Sequence, residues 1–79
     1  MTIAEALSAR VKELLEINQI TAYRLFKLSG VPSSSIGDII HMRNKTVNIK
    51  LIYEIAQGFG MDLQKFFDSP LFTDGNIID

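Results

Sequence analysis

Few residues in this chain could carry chemistry. There is one histidine, His41, and no cysteine, which removes thiol nucleophiles, disulfides and sulfur-built zinc sites together. A serine–histidine relay needs an orienting partner and a metal centre needs several ligands, and His41 alone supplies neither. What remains is a run of hydroxyls and charges: Ser33, Ser34 and Ser35, then Asp38, then Arg43, Asn44 and Lys45. These groups exchange hydrogen bonds and attract counter-charge; they do not readily make or break covalent bonds. The pattern predicts recognition and no enzyme, with no catalytic residue, cofactor, metal or small-molecule substrate.

Charge placement sharpens that expectation. The net charge is only −1, yet its distribution is uneven. Residues 1–20 balance Arg10 and Lys12 against Glu5, Glu13 and Glu16 for −1, and residues 51–79 set Lys65 against five acids for −4. Between them, Arg24, Lys27, Arg43, Lys45 and Lys50 face Asp38 alone, leaving the middle at +4. Because screening in physiological salt acts over roughly 8–10 Å, a local cationic face can attract an anionic partner even on a near-neutral protein.

Something must hold these residues in place, and helical periodicity predicts what. With 79 residues, 47% of them apolar, the chain can build one small core. Thr2 and Glu5 form a capping-box pattern before the stripe Ile3, Leu7, Val11, Leu14 and Leu15, and Asn18 ends that helix in a left-handed conformation. Thr21 caps a second helix in which Ala22, Leu25 and Leu28 face inward, and Gly30 stops it. Pro32 opens a third helix from Ser33 to Met42, whose Ile36, Ile39 and Ile40 turn in while Ser33, Ser34, Gly37, Asp38 and His41 stay out. Asn48 caps a fourth helix with Ile49, Ile52, Ile55, Ala56 and Phe59 inward, and Asp62 caps a fifth, ended by Pro70. The expected fold is an all-α, compact five-helix bundle over residues 1–69, with a short C-terminal tail, 70–79, that carries a turn signal at Asp74-Gly75. No apolar run approaches a membrane span and no basic-then-apolar leader opens the chain, so the reading is cytoplasmic with no membrane partner.

Two short helices joined by a tight glycine turn, the second with a polar outer face, make a helix-turn-helix arrangement. From about Ser8 to Phe67, "TAYRLFKLSGVPSSSIGDII" followed by "NIKLIYEIAQGFGMDLQKFF" resembles the Cro/CI-type (XRE family) helix-turn-helix DNA-binding domain, the lambda-repressor-like bundle. The resemblance implies a sequence-specific transcriptional regulator, a repressor acting on double-stranded DNA as a homodimer, with helix 33–42 in the major groove. It further implies base-reading by Ser33, Ser34, Gly37 and Asp38. DNA-backbone contacts fall to Thr21, Ala22 and Tyr23 at the start of helix two and to Arg43, Asn44 and Lys45 after helix three.

Departures from the family pattern bear on function. Ala22 stands where a glutamine is common, and serines replace the arginine or glutamine side chains that discriminate bases best. Leu15 and Ile40 replace an arginine–glutamate pair and are expected to touch, and Met42 replaces a helix-ending glycine. These features keep an alternative open: a helix-turn-helix-derived protein-interaction module, antitoxin-like or the partner of an anti-repressor, with weak or no DNA binding. Ser33 to Ser35 can also be read simply as caps for a helix start. Phe66, Phe67, Leu71 and Phe72 read either as closure of the core or as a dimer face.

Overall fold

The computed structural model describes residues 1–79. Five α-helices follow one another, α1 Ile3–Asn18, α2 Ala22–Ser29, α3 Ser33–Ile40, α4 Ile49–Gly58 and α5 Leu63–Phe66, and a single 3₁₀ turn covers Pro70–Phe72. Beyond an isolated bridge between Asp74 and Ile77 there is no β-structure. The sequence dictates most helix starts locally. Thr2, Thr21, Asn48 and Asp62 each accept a backbone N–H from the first turn of the helix they precede, which satisfies donors that have no intrahelical partner.

At Thr2 the capping box is complete, with the Thr2 N–H donating to Glu5 Oε1 at 2.8 Å and the Glu5 N–H donating to Thr2 Oγ1 at 3.1 Å. The Thr2 backbone amide and then the Thr2 hydroxyl hold the Glu5 carboxyl below the usual glutamate range. A carboxylate favoured by folding contributes stability above its unfolded pKa and loses it as pH falls through the lowered folded value. In urea titrations across that acid window, Glu5→Gln should show a flatter decline of stability than the wild type. Parallel declines would mean that this box does not govern the acid limb.

Three helix ends share one device. Gln19, Met42 and Gly60 all adopt positive φ, at 54°, 54° and 76°, and at each the following amide reaches back five residues: Ile20 to Leu15, Arg43 to Asp38 and Met61 to Ala56. Paired with the i+3 bonds from Gln19, Met42 and Gly60, these are Schellman closures. Two expectations change here. Gln19, not Asn18, takes the left-handed turn, while the Asn18 side chain donates to Leu14 O at 2.8 Å. And α3 stops at Ile40 rather than Met42, because Met42 enters the left-handed region where a glycine would sit without strain. That costs on the order of 1 kcal/mol.

The core consists of Leu7, Val11, Leu14, Leu25, Val31, Ile36, Ile39, Ile52, Ile55, Ala56 and Phe66. Leu15 and Ile40 are both half-buried against it. Leu28 and Ile49, predicted inward, are 48% and 61% exposed. On α2 the inner face runs instead through Ala22, Leu25, Phe26 and Ser29, a helical i, i+3, i+4, i+7 set rotated from the predicted one. Ile49 occupies the first turn of α4, ahead of the buried Ile52 and Ile55. Phe67 and Phe72 pack edge-to-face at 4.9 Å and lie 5.1 and 6.3 Å from Phe66. With Phe66 fully buried and its neighbours half-buried, this aromatic group closes the core.

Two buried polar side chains, both on α1, fasten other helices. Ser8 Oγ donates to Ile40 O at 2.6 Å, at the end of α3. Arg10 donates from Nε to Phe66 O at 2.7 Å and from Nη2 to Lys65 O at 3.0 Å, at the end of α5. α1 therefore supplies donors to the C-terminal carbonyls of two helices, groups that lack intrahelical donors. The tail returns to the same helix: Ile78 N–H donates to Met1 O at 2.9 Å and Ile3 N–H to Asp79 Oδ1 at 2.9 Å. No helix is long and apolar enough to cross a membrane.

Candidate nucleic-acid interface

α2 and α3 are joined by Gly30, Val31 and Pro32. Gly30 closes α2 at φ 77° and donates to Phe26 O at 2.9 Å, Val31 is buried as the pivot, and its N–H donates to Ser29 Oγ at 3.1 Å. Pro32 stands at the N-cap of α3 with no side-chain cap bond. The capping reading of Ser33, Ser34 and Ser35 therefore gains nothing, since no serine hydroxyl closes the helix start. Ser33 and Ser34 are exposed, and Gly37 and Asp38 are half-exposed on the next turn. α3 is fixed from beneath by Ile36 and Ile39 and by the Ser8 bond at its far end.

The closure after α3 sets the position of the cations. Arg43 follows the left-handed Met42, and its N–H is tied to Asp38 O at 2.9 Å. Its side chain then folds back over α3, where Nη1 donates to Asp38 Oδ1 at 2.9 Å. A Cβ at Gly37 would lie 3.2 Å from that same nitrogen, so glycine leaves the room in which the guanidinium lies. Both partners are substantially solvated, and an exposed pair of this kind is worth only ~0.2–1 kcal/mol.

The structure thus brings together residues expected to play two different roles, Gly37 and Asp38 on α3 and Arg43 in the loop. Asn44 joins them by sharing a shallow cleft with Ser35 and Asp38, floored by Ile39 and Leu51. Lys45 is exposed one residue further on, near Thr2, Ala4 and Asp79 of the two termini. Thr21, Ala22 and Tyr23 belong to the start of α2 and make none of these contacts. Thr21 Oγ1 accepts the Arg24 N–H at 3.1 Å, Ala22 is half-buried, and Tyr23 is exposed. Lys27 Nζ lies 5.4 Å from the Tyr23 ring centre and 5.3 Å from that of Phe26, so one cation of the middle segment already rests on an aromatic pair. His41 is the exposed C-cap of α3, and no cluster of potential metal ligands surrounds it.

Fold and surface together define a small all-helical protein that presents a short polar helix beside a cationic turn. Among solved structures it is similar to that reported as the crystal structure of the prophage Lp1 protein 11, with a TM-score of 0.80 and 26% identity over 94% of this chain and 97% of that one. No family model matches the chain, and no curated protein does so either.

Proposed function

We propose that this protein is a sequence-specific DNA-binding transcriptional regulator of the Cro/CI helix-turn-helix type, a cytoplasmic repressor acting as a homodimer on double-stranded DNA. The observation that carries the reading is the exposed outer face of α3, Ser33, Ser34, Gly37 and Asp38, abutting the Arg43–Lys45 turn. An α-helix about 10–12 Å across fits a major groove about 12 Å wide, and small outward side chains let the helix barrel approach the base edges closely. Cations at the end of that helix would face the phosphates that flank the groove. The likeness to a prophage protein supports a small phage-type regulator. Two-fold pairing would set two such helices one DNA turn, about 34 Å, apart.

Lys45 provides the test. As a phosphate contact it should act on every sequence alike, so Lys45→Ala should lower affinity uniformly and reduce the slope of log affinity against log salt by about 0.9. An electrophoretic titration in which the slope does not move removes Lys45 from the interface. The protein-interaction reading draws on the Asp38–Arg43 pair, which neutralises one cation of the middle segment. The wild-type protein flowing through a nonspecific-DNA column at low salt would favour that reading over the regulator.

A further inference from the structure

The outer face of α3 has a gap in its chemistry that the following turn fills. Ser33, Ser34 and Gly37 offer hydroxyls and a bare backbone, none of which forms the two-pronged contact that distinguishes one base from another. Yet a guanidinium does lie on this face. Arg43 is not part of the helix, but it reaches back and places Nη1 against Asp38 Oδ1 at 2.9 Å, above Gly37. Resting on the regulator reading above, we propose that Arg43 is a base-reading residue selective for guanine, held in position by Asp38 and Gly37, rather than one of the phosphate contacts of the turn.

Three observations converge on this assignment. The Arg43 backbone is fixed, because its N–H closes the Schellman turn on Asp38 O at 2.9 Å; the side chain therefore starts from a defined point. The guanidinium is then held by the side chain of the same residue through one nitrogen, and a guanidinium has five N–H donors. Four remain, enough for a bidentate contact to guanine O6 and N7. Asp38 keeps its second oxygen, which can accept from a cytosine amino group. Finally, Gly37 lets the guanidinium lie close against the helix, since a Cβ there would stand 3.2 Å from Nη1 and push it outward by a few tenths of an ångström. Such prior ordering reduces the rotamer freedom lost when the contact forms.

The experiment is selection of binding sites by the full-length protein from a random duplex pool, followed by competition titrations of variants on the selected site and its single-base changes. The wild type should prefer guanine at one position of each half-site by roughly 5- to 150-fold. Arg43→Ala should lose that preference, and Arg43→Lys, which keeps the cation without the fork, should weaken it while retaining the salt slope. Asp38→Asn should weaken the preference at the same position by releasing the guanidinium. Arg43 is exposed and its closing bond is a backbone one, so these variants should keep the wild-type thermal midpoint. If Arg43→Ala keeps the base preference and weakens all sequences equally, with a slope smaller by about 0.9, Arg43 is a phosphate contact and the proposal is wrong. A wild type that binds no duplex at all overturns the regulator reading itself, and this assignment with it.

Discussion

Arg10→Ala should lower the thermal midpoint by about 15 °C, far more than Glu13→Ala, although the two side chains form an ion pair. Arg10 is 8% exposed, while much of the Glu13 side chain is solvated, so the two substitutions remove different things. Without Glu13 the arginine keeps both bonds to α5, and loss of the pair costs at most ~1 kcal/mol. Without Arg10, Phe66 O loses its 2.7 Å donor in a buried site, whereas Lys65 O still accepts the Asp68 amide at 3.2 Å. One stranded carbonyl costs ~1–3 kcal/mol, and the void beside the Phe66 ring, over which the guanidinium sits at 6.0 Å, adds a packing loss. A total near 3 kcal/mol, at 4–8 °C per kcal/mol for a domain of this size, gives the stated shift. It is also a large share of the ~4–12 kcal/mol that 79 residues ordinarily provide. Arg10→Lys should recover only part of it, because an ammonium cannot span both carbonyls. Equal small shifts for Arg10→Ala and Glu13→Ala in a thermal melt would show that the carbonyl contacts are dispensable.

What was legible in the sequence divides along the range of the interactions involved. Thr2, Thr21, Asn48 and Asp62 were readable as caps because each acts on amides two or three residues away, and Gly30 was readable because only its own backbone matters. Arg10 was not, since its partners lie 55 and 56 residues on. A signal existed nonetheless: Leu7, Arg10, Val11 and Leu14 form one helical stripe, and a lone cation inside such a stripe needs a buried acceptor. Ser8 is the same case with Ile40 O 32 residues away. At the candidate interface, periodicity located the exposed residues of α3 and the adjoining cations. It could not anticipate that Arg43 would fold back onto Asp38, because that depends on Met42 adopting a conformation its residue type disfavours.

Gly58→Val should destabilise the protein by about 3 kcal/mol and Gly58→Ala by about 1–2 kcal/mol, against an intrinsic helix preference that favours alanine over glycine by ~1 kcal/mol. The sign is decided by what a Cβ would meet. At the last residue of α4 it would lie 2.8 Å from Ser29 Cβ, 2.9 Å from Leu25 Cδ1 and 3.3 Å from Ser29 Cα, so the obstruction includes the backbone of α2. Relief requires α2 and α4 to separate, and Ser29 is the residue whose hydroxyl holds the Val31 amide in the turn that aims α3. Gly60, two residues on, is needed for a different reason: it has open space around its missing Cβ but sits at φ 76°. Asparagine tolerates that conformation. Urea midpoints should therefore show Gly60→Asn close to wild type and Gly58→Asn no better than Gly58→Ala. If Gly58→Ala instead proves stabilising, helix preference outweighs the close crossing, and the α2–α4 contact cannot be what fixes the direction of α3.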